Sequence, residues 1–220
     1  MLRRLTREFA LWLAAGLLAT AAAEQRAAGA QPEPAAAASV LCLGDSLTEG
    51  LGVAPEEAYP AILERCLHQL GYRELRVVNA GISGSTSSSA VARMRWQLRA
   101  QPAVVVLALG ANDGLRGQDL AHTRRELGLA IDLALQHGVR VLLAGMQLPA
   151  NFGPDYRERF ARMFPELAAE RGVPLIPFLL EGVATRAELN QPDGIHPNAR
   201  GHLRVAENVL ARLLPLLPPP

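Results

Sequence analysis

Five short apolar runs punctuate the chain beyond residue 38: SVLCL (39–43), LRVVNA (75–80), AVVVLALG (103–110), VRVLLAG (139–145) and VPLIPF (173–178). Each has the length of a strand buried on both faces. Between them, apolar residues recur at helical spacing over 59–70, 88–100, 118–136 and 155–171, with a last such segment at 199–214. Strict alternation of strands and helices predicts a parallel sheet covered by helices on both faces, an α/β fold. In the second helical segment Val91, Met94 and Leu98 form the apolar stripe, and Met94 and Trp96 read as packing residues. Glycines at 71, 138 and 172 mark helix ends, and the terminal LLPLLPPP cannot continue a helix past its prolines.

The remaining pattern divides the chain. Arg3, Arg4 and Arg7 precede the apolar run FALWLAAGLLATAAA (9–23), which ends in small residues. This is the layout of a secretory signal peptide, and the run is shorter than the about 20 residues a spanning helix needs. Cleavage is expected after Ala23, with the AGA ending at Ala30 as the alternative site and an uncleaved anchor as the other outcome. Residues 24–38, rich in Ala and Pro and without periodicity, read as a flexible linker. The folded domain is expected at 39–214, with a proline-rich tail at 215–220. A leader of this kind implies a periplasmic or secreted protein.

Composition removes several chemistries. The net charge is +1 and all 22 basic residues are arginine, so there is no electrostatic case for nucleic acid. Without lysine there is no Schiff base and no phosphate-loop lysine. Cys42 and Cys66, one on an expected strand and one on an expected helix, read as free thiols. No cysteine or histidine spacing suits a zinc site.

The strand-to-helix connections carry the polar, glycine-containing clusters: GDS after the first run, NAGISG after the second, GAND after the third, GMQLPANFG after the fourth and DGIHPN beyond the fifth. The helix-to-strand connections GYRE, QPA, HGVR and RGVP are plain by comparison. In open α/β sheets ligands bind at the C-terminal ends of the strands, and this asymmetry places a site there. Ser46, in GDSLTEG, needs a base to become a nucleophile. Of five histidines, His68, His122, His137 and His202 fall on or beside helices and read as surface residues. His196 follows Asp193 by three residues, a spacing that on one helical turn lets the carboxylate meet the ring nitrogen facing away from the serine. Three donors are available to an oxyanion: the Ser46 N–H, the Gly81 N–H and the Asn112 side-chain amide. Asp45 is assigned to shaping the turn.

Ser46, Gly81, Asn112 and His196, in the blocks GDSLTEG, NAGISG, GANDGLRG and DGIHPN, resemble the signature of the SGNH-hydrolase or GDSL-esterase superfamily over about residues 39–214. GMQLPANFGPDY and VPLIPFLLEGVA resemble its bacterial arylesterase, acyl-CoA thioesterase I and lysophospholipase group. The resemblance implies a flavodoxin-like three-layer α/β/α fold with strand order 2-1-3-4-5 and ester hydrolysis through an acyl-serine, with no cofactor or metal. Ser46, His196 and Asp193 would be the catalytic residues, and Leu115, Leu148, Pro149, Phe152 and Ile195 would line an acyl groove. The expected partner is a small-molecule ester or lysophospholipid met by a monomer in transient contact with membrane lipid; export makes acyl-CoA a poor physiological substrate. A carbohydrate O-acetylesterase, or a non-catalytic envelope-binding protein, are the alternatives.

Overall fold

The computed structural model describes residues 39–220; the expected leader and linker lie outside them. Five parallel strands, β1 (Ser39–Gly44), β2 (Arg76–Gly81), β3 (Val104–Ala108), β4 (Arg140–Ala144) and β5 (Leu175–Ile176), form one sheet in the order β2-β1-β3-β4-β5. The main helices are α1 (Ser46–Glu49), α2 (Tyr59–Gln69), α3 (Ala90–Gln97), α4 (Ala111–Leu115), α5 (Leu120–Gln136), α6 (Pro154–Arg171) and α7 (Ala199–Leu213). One helical layer pairs α2 with α7, and the other packs α5 between α3 and α6.

β1, β3 and β4 are buried almost throughout, as continuous apolar runs between two helical layers must be. β2 departs from that expectation. It is the outer strand beside β1, and Val78 on it is 41% exposed. Trp96 is also exposed rather than packed, with the Arg99 guanidinium 4.7 Å from its ring centroid; Met94 is fully buried as expected. Cys42 is a buried free thiol and Cys66 a half-buried one. Burial pushes Cys42 up to about 12, so it is inert. Leu217 is buried, which carries the packed structure beyond residue 214.

Local chemistry starts each helix. Asp45 Oδ1 accepts the Leu47 amide at the head of α1, Asp119 caps α5, Pro154 opens α6, and Asn198 Oδ1 accepts from Gly201 to cap α7. α7 buries Gly201, His202, Val205, Ala206, Val209 and Leu213, the spacing of one helical face. His202 is thus in the core, not on the surface. Its Nδ1 accepts the Tyr59 amide at 3.2 Å, joining α7 to the start of α2.

Two buried groups titrate against each other in their effect on stability. Burial lowers His202 to about 4, with His196 adding to the depression and Glu57 opposing it. As pH falls from the ordinary histidine range towards 4, the unfolded chain takes up this proton first, so stability is lost there. Burial raises Asp45 to about 6, against the pull of the Leu47 amide and of the charges of His196 and Arg93. The folded chain takes up that proton first, and stability is gained between about 6 and the ordinary carboxylate range. Each contribution is on the order of 3 kcal/mol, so wild-type stability should change little between pH 6.5 and 4. His202→Asn, which keeps an acceptor for Tyr59 N–H, should instead gain stability on acidification, read from denaturant midpoints at pH 7 and 4.5. Parallel profiles for the two proteins would contradict this account.

Candidate active site

The first residue of α1 is Ser46, immediately past the C-terminal end of β1. It is 9% exposed, and its Oγ lies 2.9 Å from His196 Nε2. Both ring positions of His196 are engaged, since Nδ1 donates to Asp193 Oδ2 at 2.7 Å. That bond puts the proton of the neutral ring on Nδ1 and leaves the Nε2 lone pair facing the serine hydroxyl.

Asp193 and His196 do not share a helical turn, as their spacing suggests. They sit in an irregular bend in which Asp193 Oδ1 accepts the Ile195 and His196 amides, each at 3.0 Å. The geometry is that of an Asx turn closed over its own backbone. Burial raises Asp193, but the His196 amide, the His196 ring and the Ile195 amide outweigh it and hold the carboxyl down at about 2. The loop around the pair is anchored at several points. Gln191 N–H donates to His196 O at 2.8 Å, Asn198 N–H donates to Leu189 O at 2.9 Å, and Gln191 Nε2 donates to Leu51 O at 2.6 Å, just past α1.

Asn112, on α4 at the end of β3, points its side-chain amide towards the same turn. Nδ2 donates to Ser85 O at 3.1 Å and to Asp45 Oδ2 at 3.3 Å. Asp45 therefore does more than shape the turn, since it caps α1 with one oxygen and positions Asn112 with the other. The Ser46 N–H has no acceptor among the described residues.

Gly81 does not fit the role of oxyanion donor. It ends β2 in register with Gly44, its N–H donates to Asn79 Oδ1 at 2.9 Å, and an added Cβ would lie 2.0 Å from Glu49 N. The residue is wedged under α1 with its donor occupied. Three residues on, Gly84 has φ +74, its N–H has no acceptor among the described residues, and the carbonyl of its neighbour Ser85 receives Asn112. The block NAGISG contains both glycines, and only the strand register separates them.

Beside Ser46 opens a cavity of about 510 Å³. Leu115, Leu148, Pro149 and Ile195 line it as expected; Phe152 does not, being packed beside Tyr156 with ring centroids 6.4 Å apart. Met146, Phe178 and Leu180 extend the apolar wall, and Arg157 and Glu181 add charge to it. Met146, Phe178, Leu180 and Glu181 fall in the blocks GMQLPANFGPDY and VPLIPFLLEGVA, and Arg157 just beyond the first, but nothing in those blocks marks which of their side chains face the cavity.

The other ionisable groups stand apart from the relay. Asp113, next to Asn112, is buried and accepts from the Ser87 amide, the Ser87 hydroxyl and the Thr123 hydroxyl, so it braces α4 and is not the partner of His196. His122 meets Ser88 Oγ at 3.0 Å on the helical layer of α3 and α5, and His68 meets Leu75 O. Among the described residues no cluster of three or more His, Cys, Asp or Glu side chains gathers to hold a metal ion. The site holds what acyl transfer requires: a hydroxyl, a base with a fixed tautomer, two unengaged backbone amides and a largely apolar cavity.

Residues 42–204 match the GDSL-like Lipase/Acylhydrolase family. The chain is 43% identical over 186 residues to Esterase TesA of Pseudomonas aeruginosa, covering 84% of this chain and 92% of that one. It is 39% identical to the Thioesterase 1/protease 1/lysophospholipase L1 of Escherichia coli K12, covering 83% of this chain and 86% of the relative. Among solved structures, a crystal structure of TesA superimposes with a TM-score of 0.79 at 43% identity, covering 81% of this chain and 99% of the other. With its 2-1-3-4-5 parallel sheet and this degree of likeness, the chain belongs to the GDSL-like lipase/acylhydrolase family and is a serine hydrolase of ester substrates.

Proposed function

We propose that Ser46 Oγ attacks the carbonyl carbon of a carboxylic ester while His196 Nε2 takes its proton. The observation that carries this reading is the continuous relay from Ser46 Oγ through His196 to Asp193, at 2.9 and 2.7 Å. Asp193, ionised at any pH an assay would use, stabilises the imidazolium. His196 then protonates the leaving alcohol, and a water molecule releases the acyl group by the same steps in reverse. The oxyanion is received by the Ser46 N–H, by the Gly84 N–H, which replaces Gly81, and by the Asn112 Nδ2, which gives up its long 3.3 Å contact with Asp45 Oδ2 to reach it.

The apolar cavity suits an acyl chain longer than acetyl, which supports aryl and acyl esters over acetylated sugars. The names of the relatives, an esterase and a thioesterase/lysophospholipase, add lysophospholipids and thioesters as candidate substrates. The basic, apolar and small-residue pattern of residues 1–23 supports export to the periplasm or beyond, where lysophospholipids and other esters are met and acyl-CoA is not.

Three measurements test this reading. Ser46→Ala should abolish p-nitrophenol release from a medium-chain p-nitrophenyl ester, and retained turnover would remove Ser46 from the chemistry. Asn112→Ala should lower kcat by about 10²–10³, the scale of one oxyanion donor; an unchanged kcat would exclude it. Gly84→Ala has room for its Cβ, with Arg116 Nη2 at 3.5 Å, but imposes a side chain at φ +74. Gly138→Ala, at φ +72 with open space around it and far from the site, imposes the same strain alone. Gly84→Ala keeps the N–H but strains the turn that aims it, so it should lose kcat at equal cost in stability; equal activity in the two variants would show that turnover does not depend on the geometry of this turn.

A further inference from the structure

One guanidinium stands in the wall of the catalytic cavity. Arg157, near the start of α6, lines the same space as Ser46, Asn112 and His196. Its Nε donates to the carbonyl of Leu148 at 3.3 Å, a residue of the same wall, which ties the side chain to the cavity. Both Nη groups are without a protein acceptor among the described residues. Arg124, Arg162, Arg171 and Arg204, on the helical surfaces, each pair with a carboxylate; Arg157 pairs with none among the described residues, like other arginines such as Arg159 and Arg200, but it alone of the described arginines lines the catalytic cavity. The carboxylates of the wall are Asp45, committed to Leu47 and Asn112, and Glu181, which is exposed and forms no ion pair with it.

A guanidinium held by its Nε presents two Nη groups side by side, a fork that matches the oxygens of a carboxylate or a phosphate. A largely apolar wall weakens competition from water and strengthens such a contact. Neither the hydrolysis of a neutral ester nor the packing of the wall makes use of this charge. We propose that Arg157 is a specificity-determining residue that selects esters bearing an oxyanionic group, which its Nη groups bind while the ester carbonyl lies at Ser46. This rests on the reading of Ser46 as the nucleophile of the same cavity. The anion has two sources, a carboxylate at the far end of the acyl chain or a phosphate on the leaving alcohol, and both present the same oxygens.

The test compares wild type, Arg157→Gln and Arg157→Lys on matched pairs of soluble esters below their micellar concentrations. The acyl-side pair is p-nitrophenyl hexanoate with p-nitrophenyl hydrogen adipate; the alcohol-side pair is monooctanoylglycerol with its glycerol phosphate counterpart. Arg157→Gln should lower kcat/KM for one anionic ester by about tenfold, the scale of a partly solvated charge-assisted contact. The loss should appear mainly in KM, with the neutral partner unchanged within about twofold and Arg157→Lys intermediate. The pair that responds identifies the source of the anion. Equal losses on neutral and anionic esters would make Arg157 a packing residue and overturn the proposal, as would no change on either pair. Full turnover of the neutral esters by Ser46→Ala would overturn the nucleophile assignment and this proposal together, whereas an inactive Ser46→Ala with unaltered charge preference in Arg157→Gln would overturn this proposal alone.

Discussion

A Cβ at position 44 would lie 1.9 Å from Thr48 Oγ1 and 3.0 Å from the Ala108 carbonyl, so the passage from β1 into α1 exists only because residue 44 has no side chain. Everything catalytic is arranged around that tight exit. With the backbone drawn in, the Asp45 carboxylate is buried and must find donors, and it finds the Leu47 amide and the Asn112 side chain. Thr48 turns its hydroxyl onto the Tyr59 hydroxyl at 3.0 Å, which binds α1 to α2. Ser46, between these two anchored residues, has no freedom to leave the strand edge. The turn therefore couples β1, the nucleophile and a candidate oxyanion donor in one packed unit.

The base arrives from the other end of the domain, 150 residues away in sequence. Its loop is irregular, and backbone groups in such a loop must be satisfied one by one. Gln191, Asn190 and Asn198 do this with side-chain amides: Asn190 Nδ2 donates to the Val183 and Arg186 carbonyls, and Asn198 Nδ2 to those of Glu188 and Asn190. Asp193 completes the set by holding two amides and the imidazole at once. The acidity of Asp193 and the tautomer of His196 are thus consequences of one turn, and the turn is held in place by hydrogen bonds that have no direct part in chemistry.

The site also shows how burial apportions charge. Asp45 and Asp193 lie on either side of the same serine, yet burial pushes one up to about 6 while three donated hydrogen bonds hold the other near 2. The first is suited to a structural task and the second to stabilising an imidazolium. Arg93 contributes from below, its Nη2 donating to the Ala80 carbonyl while its charge favours ionised Asp45. Beyond the catalytic residues and Asp45, the cavity lining is charged only at Arg157 and Glu181, with Gln147, Thr185 and Asn190 as its neutral polar members.

The alternation of apolar runs and amphipathic stretches was enough to determine the parallel sheet and its helical layers, because strand and helix periods differ and each buried strand here is a continuous apolar run. It also pointed to Ser46, Asn112, Asp193 and His196 as candidates, since the polar, glycine-containing clusters fall at the C-terminal strand ends. What it left open depends on contacts between distant segments. Periodicity counts Val77 and Val78 as core without knowing that β2 lies at the sheet edge, and it cannot tell that His202 faces inward beneath Tyr59. A three-residue spacing between Asp193 and His196 fits a helix or an Asx turn equally well. Choosing between Gly81 and Gly84 requires the register that puts Gly81 opposite Gly44, and excluding Phe152 from the cavity requires its packing beside Tyr156. Residue type and spacing named the reactive groups, and only the packing of the sheet against its neighbours decided which atoms remain free to act.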